Sequence, residues 1–174
     1  MLGSNRVRGG AFAMPAEFAG INWGDESKAE KGMKRIYVNE KWCLGCHLCE
    51  YYCAFASTKE IDMARALKGV RINPKIRIEE KEDICFAVSC RHCEVPLCTK
   101  GCITGALSVK NGVIMIDKDK CVGCYTCILC CPFGAISPSE YGAIEKCELC
   151  VRYFTSEPMC VKGCPNGAIV FETR

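Results

Sequence analysis

Hydrophobic and polar residues alternate in this chain only in short bursts. Residues 1–32 mix Gly, Ala and charge with no sustained period, and read as an N-terminal extension, disordered or a docking arm. Beyond Met33, the stretch Ile36-Tyr37-Val38 predicts a first strand. Residues 58–68 predict a short helix stopped by Gly69. Val70, Ile72, Ile76 and Ile78 alternate with polar residues and predict two short strands around Asn73-Pro74. Residues 106–110 and 113–116 flank Asn111-Gly112, the strongest short hairpin signal. No apolar run approaches the roughly 18–20 residues of a membrane span. Ala11–Ala19, broken by Pro15 and Glu17, makes a poor leader.

Between these bursts lie cysteines. Of the eighteen in 174 residues, sixteen form four quartets. The first is Cys43, Cys46, Cys49 and Cys53, spaced C-x2-C-x2-C-x3-C. The second is Cys90, Cys93, Cys98 and Cys102, with x4 in the middle. The third, Cys121, Cys124, Cys127 and Cys131 followed by Pro132, spells C-x2-C-x2-C-x3-C-P. The fourth is Cys147, Cys150, Cys160 and Cys164, followed by Pro165. The third run is the ligand pattern of [4Fe–4S] clusters in bacterial-type ferredoxins, where three closely spaced thiolates reach one cubane and the fourth cysteine turns toward another. A zinc site needs two cysteine pairs and has no use for this rhythm. Disulfides fit it worse, and thiolates kept for clusters point to a reducing, cytoplasmic compartment.

Four oxidised clusters, each near −2 with its thiolates, would turn the formal charge of +3 into about −5. That excludes a nucleic-acid role, for which the chain also lacks a basic stripe.

An internal repeat organises the quartets. C-x-x-G-A-[LI] recurs at Cys102, Cys131 and Cys164, and C-x-K-G-C at Cys98–Cys102 and Cys160–Cys164. Quartets one and three are alike, as are two and four, so the chain reads as a duplicated two-cluster unit with residues 54–84 inserted in the first copy. The recurring Gly suits a tight turn past a cluster.

Two cysteines remain. Cys130 extends a C-x2-C series, but Pro132 and the repeat align Cys131 with Cys164 and favour Cys131 as the ligand. Cys85, in Ile84-Cys-Phe-Ala-Val, reads as a small buried hydrophobe. His47 and His92 sit inside complete quartets, where hydrogen bonding to cluster sulfur or surface exposure is expected of them. Tyr51, Tyr52, Tyr125 and Phe133 are expected to shield clusters from water.

With these motifs in view, residues 34–174 resemble the four-cluster polyferredoxin subunits of redox complexes. Cys43-Leu-Gly-Cys-His-Leu-Cys-Glu-Tyr-Tyr-Cys-Ala-Phe-Ala and the compact C-terminal end look most like the iron–sulfur protein associated with carbon monoxide dehydrogenase; the small subunit of tungsten aldehyde oxidoreductase is a close rival. The resemblance implies an α+β fold of two pseudo-symmetric ferredoxin-like lobes, residues 33–86 with 143–174 and residues 87–142. It implies four clusters with exchanged ligands. Cys43, Cys46 and Cys49 take Cys164; Cys147, Cys150 and Cys160 take Cys53; Cys90, Cys93 and Cys98 take Cys131; Cys121, Cys124 and Cys127 take Cys102. Ile103, where the family has proline, puts one local turn in doubt.

No dinucleotide fingerprint, P-loop or nucleophile–base motif is present. The expected role is a non-catalytic one: relaying single electrons between a catalytic oxidoreductase subunit, carbon monoxide dehydrogenase type favoured, and an acceptor or donor protein. A tungsten or molybdenum aldehyde or formate oxidoreductase is the alternative partner, and a structural zinc-binding adaptor the alternative class.

Overall fold

The computed structural model describes residues 32–174 except Lys59, Tyr141 and Phe154. The expectations for residues 1–31 lie outside the described residues.

The protein is α+β, built from short helices and antiparallel strand pairs. Strand β1 (Arg35–Val38) leads into the first cysteine run and helix α1 (Leu48–Phe55). Helix α2 (Met63–Leu67) starts later than the pattern predicts, because Asp62 caps it by accepting the Arg65 N–H at 2.9 Å. The strands expected around Asn73-Pro74 are one strand displaced. Residues 70–75 are irregular, and Ile76 and Ile78 both belong to β2 (Ile76–Lys81), which pairs with β3 (Ile84–Ser89) across a turn in which Glu82 is left-handed. Pro74, lacking an N–H and fixing φ, marks the approach to the strand and not its turn.

Helix α3 (Leu97–Lys100) follows, then the expected hairpin of β4 (Leu107–Lys110) and β5 (Val113–Ile116), turned by Asn111 and Gly112 at φ 49° and 75°. Helix α4 (Thr126–Leu129) and the pair β6 (Ile136–Pro138) and β7 (Ile144–Lys146) come next. Helix α5 (Met159–Lys162) precedes β8 (Ile169–Glu172).

Strand β8 returns to pair antiparallel with β1, Ile36 opposite Phe171 and Val38 opposite Ile169, so the first and last strands close the chain. Two buried cores result. One gathers Ile36, Ile76, Ala87, Leu149 and Ile169; the other gathers Leu107, Ile114, Ile116, Ile136 and Ile144. Cysteines are built into both, so these cores are completed by sulfur where a larger domain would use more aliphatic carbon. No helix among the described residues is long and apolar enough to cross a membrane.

Candidate functional site

Each cysteine run bends at the same place. The residue before its second cysteine is left-handed: Gly45 (φ 63°), His92 (φ 47°), Gly123 (φ 67°) and Leu149 (φ 53°). The bend curls the chain so that flanking thiols and N–H groups converge. Glycine adopts it freely; His92 and Leu149 accept roughly 1–2 kcal/mol of strain and are locked in by burial. The third cysteine then enters a helix and faces inward, as Cys49 in α1, Cys98 in α3, Cys127 in α4 and Cys160 in α5.

The exit is also repeated. The N–H of Gly105, Gly134 and Gly167 donates to the carbonyl of Cys102, Cys131 and Cys164, each at 3.3 Å, with φ of 64°, 57° and 62°. Exposed Ile103 therefore sits in the same turn that Pro132 and Pro165 occupy, and its lack of a proline ring changes nothing locally. Only Cys53 lacks this exit. Ala54 follows it, and α1 runs on to Phe55.

The thiols gather in sets that cross the runs. One cleft is lined by Cys43, Cys46, Cys49 and Cys164. A second is lined by Cys121, Cys124, Cys127 and Cys102. A third is lined by Cys90, Cys93, Cys98 and Cys131, with Cys130 beside them. The remaining four are neighbours, Cys147 and Cys160 buried and Cys53 and Cys150 partly exposed. Burial drives the Cys160 thiol well up, and its neighbours Cys147, Cys53 and Cys150 push it further. All eighteen cysteines are free thiols. Among the described residues, no three His, Cys, Asp or Glu side chains converge tightly enough to grip a single ion. Four thiols spread around a cleft suit a cubane, which takes one ligand at each of four corners.

Burial raises the thiols of Cys49 and Cys147 to about 12 and of Cys127 to about 11. Metal must displace those protons, so loading releases acid. Backbone N–H groups already point at sulfur, from Leu149 to Cys147 Sγ (3.3 Å) and from Lys75 to Cys53 Sγ (3.2 Å). Cys124 goes the other way, its thiol lowered by the Thr126 N–H and hydroxyl.

The two histidines divide. His47 is half-exposed and bridges Glu50 (2.9 Å) and Glu80 (3.2 Å), clamping the first cysteine loop to β2. The Glu50 hydrogen bond leads in raising its pKa. His92 is 1% exposed. Burial, then Lys146 and Arg35, press its pKa down to about 3, so the ring is neutral. Its Nδ1 accepts the Ile114 N–H at 3.0 Å, which leaves the proton on Nε2. That buried N–H meets no protein acceptor. An orphaned donor beside a thiol-lined cleft fits a group that brings its own acceptors, as the sulfides of a cluster do.

The spare cysteines pack. Cys85 is partly exposed in β3, and not the buried hydrophobe the apolar stretch suggested. The β2–β3 hairpin lies over the first cysteine loop, so its Sγ rests 3.0 Å from where a Cβ on Gly45 would stand. Cys130 Sγ stands 3.1 Å from the equivalent point on Gly101. In the other copy Tyr52 fills this slot, its ring 2.2 Å from a Cβ on Gly163. Tyr52 and Cys130 each precede the fourth cysteine, so both are helix-packing residues. Of the expected aromatic shields, Tyr125, Phe133 and Tyr51 are all exposed, and the first two line clefts.

Sequence reasoning missed three groups. Glu50 and Glu148 each accept a strand N–H at 2.7 Å, from Ile78 and Ile116, tying cysteine loops to strands. A carboxylate inside a cysteine run was the available signal. Lys146 is buried at the end of β7, and nothing local marks it.

Known proteins are similar to this chain. An iron–sulfur protein of Rhodospirillum rubrum is 34% identical over 77% of this chain and 79% of its own length. The electron transport protein HydN of Escherichia coli K12 is 28% identical over 80% of this chain and 87% of its own. A solved active-site complex, BamBC of benzoyl coenzyme A reductase, aligns over 82% of this chain and 80% of its own at 22% identity and a TM-score of 0.44. The model of the 4Fe-4S dicluster domain matches residues 82–174, which contain the second, third and fourth quartets. Since that match spans over half the chain and the Rhodospirillum relative extends it, this protein belongs to the 4Fe-4S dicluster domain family.

Proposed function

We propose that the sixteen cysteines hold four [4Fe–4S] clusters with ligands exchanged between runs, and that the protein relays single electrons between a catalytic oxidoreductase subunit and an acceptor or donor protein. The observation that carries this is the crossing of the runs: three clefts each pair three thiols of one run with one thiol of another. Mutual influence among Cys53, Cys147, Cys150 and Cys160 supports the fourth set. When bound, such clusters supply one-electron exchange.

The chain's own residues do the rest. Left-handed loops present thiols, helices bury the third cysteine of each run, and N–H groups at Cys53 and Cys147 favour the thiolate. The sets follow one another in space. Cys49 acts on Cys160, and Cys90 on Cys147. Helices α3 and α4, packed together, bring the set of Cys90 to that of Cys102. We assign residues 33–86 with 143–174 to one ferredoxin-like lobe, 87–142 to its pseudo-symmetric counterpart, and residues 1–32 to an extension. Thiolates kept for clusters support a cytoplasmic location, and the resemblance of the first cysteine run supports a carbon monoxide dehydrogenase-type partner; a tungsten or molybdenum aldehyde or formate oxidoreductase is the second reading.

Metal analysis of anaerobically reconstituted protein tests the proposal. It requires about sixteen iron and sixteen sulfide per chain, at four of each per cluster. Iron near eight, or zinc in its place as in a structural adaptor, would refute it.

A further inference from the structure

Among the described residues, no strand covers the outer edge of β5, the second strand of the central hairpin. Ile114 and Ile116 of β5 turn their backbone groups outward there, and side chains from two cysteine runs take all four. The Ile114 N–H goes to His92 (3.0 Å) and its carbonyl accepts from Lys146 Nζ; the Ile116 N–H goes to Glu148 (2.7 Å) and its carbonyl accepts from Arg152. This edge is the seam between the set of Cys90 and the set of Cys147.

Lys146 lies in that seam at 1% exposure, also donating to the Cys147 carbonyl. With His92 neutral, Lys146 is the fully buried cation of the seam; Arg35 and Arg152 are only partly covered. Burial raises the thiols of Cys90 and Cys98 on one side and of Cys147 on the other, and the charge of Lys146 partly offsets that rise at all three. At the outer thiols the neighbouring groups are others: Glu50 adds to burial in raising Cys49, and Thr126 lowers Cys124. A charge removed from water acts on its neighbours far more strongly than a screened one, and most strongly on whichever state is more negative.

We propose that Lys146 is a potential-setting residue shared by the two inner sites, its buried amine wedged between their cysteine loops so that both inner clusters reduce more readily than they would without its charge. The inference rests on the four-cluster reading above. Reduction of a site takes one electron from an external one-electron donor and adds one negative charge, with no bond broken and no proton transferred by Lys146.

The test is a redox titration with dithionite, followed by electron paramagnetic resonance, of the full chain carrying Lys146→Met or Lys146→Arg, with iron measured on each sample. In Lys146→Met, two of four signals should shift to lower potential. At the poise where the wild-type inner sites are half reduced, their reduced-to-oxidised ratio should fall roughly tenfold, which is ~59 mV for a one-electron couple. Lys146→Arg should stay near wild type. If Lys146→Met loses iron, Lys146→Gln keeps a donor for the two carbonyls, removes the charge and carries the same expectation. Full iron with four unmoved potentials in the neutral variant overturns the inference alone. Fewer than four clusters in wild type overturns the reading beneath it.

Discussion

The two inner thiol sets and the two outer ones are made from the same loop and differ in what surrounds it. Each inner set has two buried cysteines and none exposed: Cys147 and Cys160 in one, Cys90 and Cys98 in the other. Each outer set has one buried cysteine, Cys49 or Cys127, and one exposed, Cys46 or Cys124. The polar environment divides in the same way. Outer loops carry solvent-facing partners, His47 with two glutamates at one end and the Thr126 hydroxyl at the other. The inner seam holds Lys146 and a histidine N–H with no acceptor. The four loops are alike, and their position in the fold makes the sites unequal.

Removing one thiol at each position tests that inequality most severely. Cys160→Ser should cost more than one cluster's iron and lower Tm by roughly 10 °C, about 3 kcal/mol, because the inner thiols are part of the core. Cys124→Ser should cost about four iron and leave the rest of the fold in place. Iron assays with thermal melts decide, and equal losses would erase the distinction.

Exposure makes a second prediction, of several-fold in rate. Brief ferricyanide treatment should bleach the outer clusters before the inner ones, since oxidant and chelator reach Cys46 and Cys124 directly. Simultaneous loss of all four signals would mean that burial does not grade them.

Packing sharpens the contrast between the copies. Gly163→Ala drives a methyl into the Tyr52 ring and should destabilise by about 1–3 kcal/mol, relieved in a double variant with Tyr52→Ala. Gly101→Ala meets Cys130 Sγ at 3.1 Å and the Leu97 carbonyl oxygen at 3.3 Å, looser contacts than the Tyr52 ring makes, and should cost less. Equal melting temperatures for the two glycine variants would show that the slots are not as different as they look.

The smallest effect is one of pH. His47 is raised by Glu50 and Glu80, so its contribution is complete below its ordinary value of 6.5 and fades as pH rises through the raised one. Wild type should exceed His47→Gln in Tm by about 1 °C at pH 6, since a half-exposed pair is screened, and the gap should close by pH 9. A gap that persists at pH 9 would assign the clamp to packing.

Cysteine spacing was legible because it is local: four residues in a fixed rhythm define a loop wherever the chain puts it. The Asn111-Gly112 hairpin and the β1 strand were legible for the same reason. The β2–β3 turn was not, since it runs through Glu82 and Asp83 with no glycine, and Pro74 offered a more conspicuous but wrong place to bend. The meeting of Cys164 with Cys43 depends on β8 reaching β1, a pairing that no local pattern encodes. Lys146 was the least visible. One lysine ending Ile144-Glu145-Lys146 reads as a solvated strand end, and only the convergence of β5, the second loop and the fourth buries it.

The pairing of β1 with β8 sets a schedule for synthesis on the ribosome. Val38 waits for Ile169, and Gly32 for the Thr173 hydroxyl that donates to its carbonyl at 3.0 Å. Until those residues emerge, the first cysteine loop has neither its strand partner nor Cys164 beside it. The hairpins β4–β5 and β6–β7 are complete much earlier, with α3 and α4 between and around them. The middle of the molecule can therefore take shape while the nascent chain is still growing, and its oldest residues are among the last to find their place.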